Sequence, residues 1–234
     1  MHIDLNCDLG EGMDNDEAIM PHITSANIAC GFHAGDEHTM RETLRLAKRF
    51  SVNAGAHPSW NDRENFGRKE MNVSPQEAEK LVVEQIQILT VIAKEEGMTL
   101  SHVKPHGALY NQAAKNSQLA SAIAWAVKTH SVDLILVGLA GSRSIEAGRE
   151  MGVRVAAEGF PDRGYNADGS LMSRLLPGAL VESPEDVAKH AIELVKTGRI
   201  DTLCLHGDHP NAAENAKMLR EVLEKNGVEV RGLR

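Results

Sequence analysis

Short apolar runs alternate along the chain with stretches in which apolar residues recur every third or fourth position, the two periods of strand and helix. Residues His2 to Asp8 alternate into a first strand, followed by the flexible loop Leu9-Gly10-Glu11-Gly12, and Asp16 to Met20 forms one helical turn. Ser25 to Cys30 is a second strand that stops at Gly31-Phe32-His33-Ala34-Gly35. Asp36 then caps a helix with the stripe Met40, Leu44, Ala47 and Phe50. A third strand, Val52 to Ala56, ends at His57-Pro58. Ser74-Pro75-Gln76-Glu77 carries the strongest helix-start signal, a cap with proline at the first position, and the helix runs through Leu81, Ile88 and Ile92 to Gly97.

The same grammar fills the second half. Met98-Thr99-Leu100 leads into a strand that stops at Pro105, which has no N–H for a ladder, and a helix-like run follows before the helix from Ser117 to His130. Leu134 to Val137 is continuously apolar, as in a strand covered on both faces. A helix from Ser142 to Met151, a strand from Val153 to Glu158 and a helix from Ser183-Pro184 to Lys196 come next. The strand Thr202 to Leu205, the helix Pro210 to Asn226 and the short Val228-Glu229-Val230 complete the chain.

Repeated strand, polar loop and helix predict a parallel sheet covered by helices. Seven strands are clear and the terminal segment supplies a possible eighth. Eight full units usually take about 250 residues, so 234 residues suit an α/β fold of the (β/α) barrel type, seven-stranded or irregular and TIM-like, in one domain over residues 1–234. An open doubly wound sheet is the competing architecture. It is disfavoured because no G-x-G-x-x-G follows the first strand, and because polar reactive residues stand at nearly every strand end. Two long loops, Ser59 to Met71 and Gly159 to Arg174, interrupt the pattern; the second reads as a lid or as an ordinary surface loop with an Asp-Gly turn, and its length favours the lid.

Composition narrows the class. The chain is 42% hydrophobic and only 3% aromatic, so aliphatic side chains must fill its core. A net charge of −8 argues against a nucleic-acid partner. No apolar run reaches the ~18 residues of a membrane span, and the N-terminus lacks the layout of a signal peptide. Cys7, Cys30 and Cys204, an odd set without zinc-finger spacing that falls inside predicted strands, read as buried reduced thiols of a cytoplasmic protein.

On a barrel, Asp8, His33, His57, Lys104, His106, Glu158, His206 and Asp208 would face one cavity at the C-terminal ends of the strands. A single strand-end histidine can merely bond a carbonyl, and Asp8 or Asp208 can cap a loop or helix. Lys104 is harder to explain that way, because lysine is seldom buried unpaired. His22, His38, His130 and His190 fall on helical or surface segments. Two chemistries use the set. In one, Asp8 with two or three histidines binds a divalent metal that polarises a carbonyl or activates water. In the other, Lys104 and Arg163 balance an anion while a carboxylate or imidazole moves the proton. No H-x-x-x-H or H-E-x-x-H pair decides between them.

Six ordered blocks carry a resemblance. They are Asp4 to Glu11, Asn27 to Asp36, Gly55 to Ser59, Asp62-Arg63 with Phe66-Gly67-Arg68, Val103 to Asn111, and the set Glu158-Gly159-Phe160, Asp162-Arg163, Asp168 to Leu171 and His206-Gly207-Asp208. Over nearly its whole length the chain resembles the LamB/YcsF family. That resemblance implies an ATP-dependent hydrolase that opens the lactam of 5-oxo-L-proline to give L-glutamate. It also implies work beside 5-oxoprolinase subunits B and C, which activate the lactam with ATP; no P-loop occurs in this sequence. The implied fold is similar to the barrel of the glycoside hydrolase/deacetylase superfamily, whose deacetylases hold a metal with an Asp and two His.

Carried onto this sequence, the resemblance implies Asp8, Lys104, His106, Glu158 and Arg163 as catalytic. It implies Asn6, Glu11, His33, His57, Arg63, Tyr110, His206 and Asp208 as substrate-binding. Candidate ligands for a divalent metal, whose presence stays open, are Asp8, His33, His57, His106 and His206. Glu37, Asn61, Asn65 and His209 depart from the usual pattern at loop edges. A metal-dependent deacetylase of an acetylated sugar or related amide, and a non-catalytic scaffold protein, are the alternatives.

Overall fold

The structure, a computed structural model, describes residues 1–233 except 173–175, 182, 206 and 208–210. In chain order its first half consists of β1 (His2–Leu9), α1 (Asp16–Ile19), β2 (Ser25–Ala29), α2 (Glu37–Phe50), β3 (Asn53–His57), α3 (Pro75–Glu95), β4 (Leu100–Val103) and α4 (Gly107–Ala113). The second half adds α5 (Ser117–His130), β5 (Ile135–Leu139), α6 (Arg143–Glu150), β6 (Arg154–Gly159), α7 (Pro184–Lys196), β7 (Thr202–Leu205), α8 (Ala212–Lys225) and β8 (Glu229–Val230). Every strand pairing is parallel, and β1 pairs with both β2 and β7, so the first seven strands close into a ring. The short β8 joins only the start of β1, at His2 and Ile3. The expected seven-stranded barrel is therefore what forms, with the eighth segment paired at its edge. No helix among the described residues is long and apolar enough to cross a membrane.

Period-two alternation in the strands explains why the ring closes with two different fillings. In β1, Ile3, Leu5, Cys7 and Leu9 join the aliphatic cluster beneath the helices. Between them Asp4, Asn6 and Asp8 point into the barrel, where they bond to Ser25, Asn27 and Thr202. The aliphatic core expected from composition thus lies largely outside the ring, whereas the interior is polar along β1 and apolar at Ile135 and Val137 of β5 and Ala156 of β6. A polar interior is viable only if its groups are paired. Asp4 shows the rule: burial raises its pKa, while Ser25, Thr202 and Thr24 hydrogen-bond to its carboxylate.

The helices start where capping chemistry puts them. The Asp36 carboxylate accepts the Thr39 N–H, and Met40, Thr43, Leu44 and Ala47 bury one face of α2. Ser74 and Glu77 form a reciprocal capping box at α3, with Pro75 in the first turn. Gly107 opens α4 at φ +54°, and a Cβ there would lie 2.6 Å from the Gly67 carbonyl oxygen. That carbonyl accepts the Ala108 N–H at 2.9 Å, which ties the long loop after β3 to the mouth of the barrel. Replacing Ser74 by Ala removes the side-chain acceptor at the start of α3, and should lower the unfolding free energy by about 1 kcal/mol. Urea denaturation of the two proteins checks this; an unmoved midpoint would contradict the capping role.

Candidate active site

Lys104 follows directly on β4, and its side chain runs into the barrel, 2% exposed. Its ammonium lies 2.9 Å from Asp8 Oδ1 and 2.9 Å from Glu158 Oε1. Asn6 Oδ1 stands at 3.2 Å and Cys204 Sγ at 3.0 Å. Burial opposes the positive charge, but Asp8, Cys204 and Glu158 outweigh it and raise the lysine well above its ordinary value. Burial pushes the Cys204 thiol up as well, so it stays protonated. Three N–H groups thus face four acceptors, and none is left over for a ligand.

The two carboxylates differ in what surrounds them. Glu158 is completely buried. Its Oε1 accepts from Asn6 Nδ2 at 2.9 Å as well as from Lys104, and its Oε2 accepts the Tyr110 hydroxyl at 2.7 Å. Burial, and then Glu158 itself, keep Tyr110 a phenol. Asp8 lines a cavity of about 550 Å³, within the usual range of small-molecule sites. Its Oδ1 takes Lys104 and Asn27, while its Oδ2 lies 3.4 Å from His57 Nε2.

Beside Asp8 the histidines meet. His57 Nδ1 lies 2.7 Å from the Lys104 carbonyl oxygen and so carries its proton there. His106 Nε2 lies 2.9 Å from the Phe66 carbonyl oxygen and carries its proton there. The remaining nitrogens, His57 Nε2 and His106 Nδ1, are bare and only 2.9 Å apart. Two lone pairs at that distance repel unless a proton or cation lies between them. Glu11 Oε1 adds negative charge at 3.6 Å from His106 Nδ1 and 3.2 Å from His33 Nε2. His33 stacks on His106 with ring centroids 3.8 Å apart, and its Nδ1 is buried without a partner. One donor atom from each of Glu11, His33, His57 and His106 lies within 4.8 Å of the others. Backbone carbonyls fixing the far nitrogens, with bare nitrogens turned inward beside a carboxylate, fit a divalent metal.

Burial, followed by the neighbouring imidazoles, lowers His33 far below the ordinary histidine value. Burial first, then His57, lowers His106 to about 3. Gly67 makes this packing possible at φ +65°, since a Cβ there would lie 3.0 Å from both His106 and His33.

Of the residues anticipated from sequence, Asp8, Glu11, His57, Lys104, His106 and Tyr110 line the cavity. Asn6 and Glu158 lie beneath it and His33 beside it. Arg163 lines the cavity, with its guanidinium on the carbonyls of Met172 and Ala179. Those bonds hold the covering loop, whose Ser170, Leu171 and Met172 also face the cavity. Arg63 reaches the carbonyls of Gly31 and Gly35. His206 and Asp208 lie outside the described residues. Cys30 sits just past β2, and Cys204, read from sequence as a buried reduced thiol, is buried on β7 with its Sγ against the Lys104 ammonium. His102 and Asn27 were missed as site components: His102 Nε2 lies 2.8 Å from Asn27 Oδ1, and Asn27 reaches Asp8 at 2.8 Å.

The chain and its fold are similar to those of known proteins. The model of the LamB/YcsF family matches residues 3–234. The 5-oxoprolinase A subunit of Pyrococcus furiosus is 47% identical, over 98% of this chain and 97% of its own length. The crystal structure of a lactam utilization protein from Thermus thermophilus superposes with a TM-score of 0.93 at 44% identity, covering 100% of both chains. The peptidoglycan deacetylase PdaC from Bacillus subtilis shares the fold alone, with a TM-score of 0.54 at 13% identity over 99% of this chain and 87% of that one.

The buried imidazoles make stability pH-dependent. His102 and His106 are each lowered from 6.5 to about 3, by burial first, so the folded chain keeps them neutral where the unfolded chain binds a proton. Their contribution is complete above the unfolded value and is lost as pH falls towards the folded one. Between about pH 6 and pH 5, the unfolding free energy of a His102→Gln variant should fall less steeply than that of the unaltered chain. The difference should approach one proton, or about 1.4 kcal/mol per pH unit. Equal slopes in urea titrations at the two pH values would contradict a neutral buried His102.

Proposed function

The chain belongs to the LamB/YcsF family, and from that premise we propose that it opens the lactam ring of 5-oxo-L-proline by hydrolysis to give L-glutamate. In this reading it completes ring opening beside partner subunits B and C, which consume ATP to activate the lactam carbonyl. The names of its relatives, the A subunit of 5-oxoprolinase and a lactam utilization protein, support the substrate. That the first is named as one subunit supports the existence of partners. The observation that carries the chemistry is Asp8, held by Lys104 on one oxygen and open to the cavity on the side of His57.

Opening a lactam requires water to attack the carbonyl carbon, a base for the water's proton, and a proton for the departing ring nitrogen. Glu158 is engaged by Tyr110, Asn6 and Lys104 and has no face on the cavity. Its role is to position the lysine. Asp8 is the base: its Oδ2, 3.4 Å from His57 Nε2, receives the water's proton and passes it to the departing ring nitrogen. Lys104 acts through its charge: it holds Asp8 in place and sets a positive potential under the site, without itself touching substrate. Arg163 fastens the loop that covers the cavity and excludes bulk water. Glu11, His33, His57 and His106 would hold a divalent metal, which when bound polarises a carbonyl oxygen or activates water.

Asp8→Asn should lower glutamate release from 5-oxoproline and ATP, assayed with the partner subunits, by about 10²–10⁴-fold. Undiminished release would remove Asp8 as the base. The metal is tested separately. Elemental analysis should find one divalent ion per chain, lost in a Glu11→Gln His33→Gln double variant, and dialysis against a chelator should abolish turnover until metal is returned. Full turnover in metal-free protein would leave the histidines as proton carriers only. The same cluster motivates a second reading, a metal-dependent deacetylase. Cleavage of an acetylated amino sugar by the metal-loaded chain, without ATP or partners, would favour it over ring opening.

A further inference from the structure

Among the described residues, the orientations of Asn6, Asn27 and His102 inside the barrel follow from what their polar atoms meet. The Asp8 carboxylate accepts only donors, so the Asn27 group 2.8 Å from Oδ1 must be the NH₂. The same NH₂ donates to Asn6 Oδ1 at 2.7 Å, and Lys104 donates to that oxygen too. Asn6 must then turn its own NH₂ to Glu158 and to Thr202, and Thr202 passes its hydrogen to Asp4. Asn27 Oδ1 consequently points away from the cavity and needs a donor. The group facing it, 2.8 Å away, is His102 Nε2, which must be an N–H. His102 Nδ1 is left bare and faces the Ser101 hydroxyl at 2.7 Å, a hydroxyl that also stands 3.2 Å from the Ala54 carbonyl oxygen.

The structure assigns His102 as a positioning residue: its neutral Nε2–H form locks the Asn27 amide and, through it, the placement of Asp8 and Asn6 around Lys104. The inference rests on the ring-opening reading for its kinetic consequence, but not for its geometry. Two further features suit the assignment. His102 is wholly buried and is not among the residues that line the cavity, so it acts through Asn27 alone. Its ring lies flat on β3 where the chain has Gly55, and a Cβ at that position would sit 2.2 Å from Nε2. The ring has a berth shaped for it. Were the Asn27 amide to turn over, its oxygen would stand against Asp8 Oδ1 and Asn6 Oδ1 at hydrogen-bond distance, with nothing between them but lone pairs.

A histidine that merely filled space would be replaceable by any side chain of similar volume. His102→Leu should instead lower kcat about 10–100-fold, the usual cost of losing a group that orients a reactive one, with KM altered less than about 3-fold. His102→Gln, whose terminal NH₂ can stand where Nε2–H stands, should recover most of that loss. Equal losses in the two variants, or a fall in thermal stability without a fall in kcat, would overturn the assignment. A readout independent of turnover is the ring itself. In ¹⁵N-labelled chain, NMR should find His102 as a neutral ring with the proton on Nε2 from about pH 8 to pH 5. The Asn27 side-chain amide signals should shift in His102→Leu and return in His102→Gln. A proton on Nδ1, or unshifted Asn27 signals, would sink the inference. If the unaltered complex released no glutamate while the ring and amide signals behaved as stated, the ring-opening reading would fall and the positioning geometry would stand.

Discussion

An ammonium sealed from water inside a closed sheet is the constraint on which the rest of this molecule turns. Desolvating the Lys104 charge costs several kcal/mol unless acceptors surround it. The acceptors come from strands far apart in the chain: Asn6 and Asp8 on β1, Glu158 on β6 and Cys204 on β7. Only a sheet closed on itself brings those strands to one lysine. The ring accounts for the polar side of the barrel interior, because Asn6, Asn27, Thr202 and Asp4 continue the same network downward. A buried pair of this kind is poor evidence for stability, since apolar side chains of similar volume often serve as well. Its position against the cavity points to chemistry instead.

The network also divides labour between groups that look alike. Asp8 and Glu158 are both carboxylates bonded to Lys104, yet one faces a cavity and the other is enclosed by Tyr110 and Asn6. The histidines divide similarly. His57 and His106 spend one nitrogen on a backbone carbonyl and turn the other inward. His102 turns both nitrogens to side chains and none to the cavity. Which role a residue takes follows from what its second polar atom meets.

Much of this was legible in the chain. Helix starts at Asp36, Ser74 and Ser183 were marked by capping residues whose side chains do accept the expected N–H groups. The clustering of Asp8, His57, Lys104 and His106 followed from their common place at strand ends, because parallel strands in a barrel end at one rim. What stayed hidden lay within strands. His102 and Asn27 sit at interior positions, where an alternating polar residue reads as a solvent face. In a closed ring that face is the inside. The contact of Cys204 with Lys104 was hidden because a buried thiol in a strand does not say which side chain it meets, and the closeness of Glu11 to His33 was hidden because both are in loops whose path depends on neighbours. The bonds of Arg163 to loop carbonyls leave no sequence signal at all.

The most direct measurement is glutamate release by the complex of this chain with its partner subunits when Lys104 is replaced by Met, alongside circular dichroism of the variant chain. The account predicts a folded barrel with turnover lost, because the two carboxylates lose the ammonium that holds them in place. Turnover at the unaltered rate from the Met variant would contradict it, since the buried ammonium would then be a structural feature that catalysis does not use.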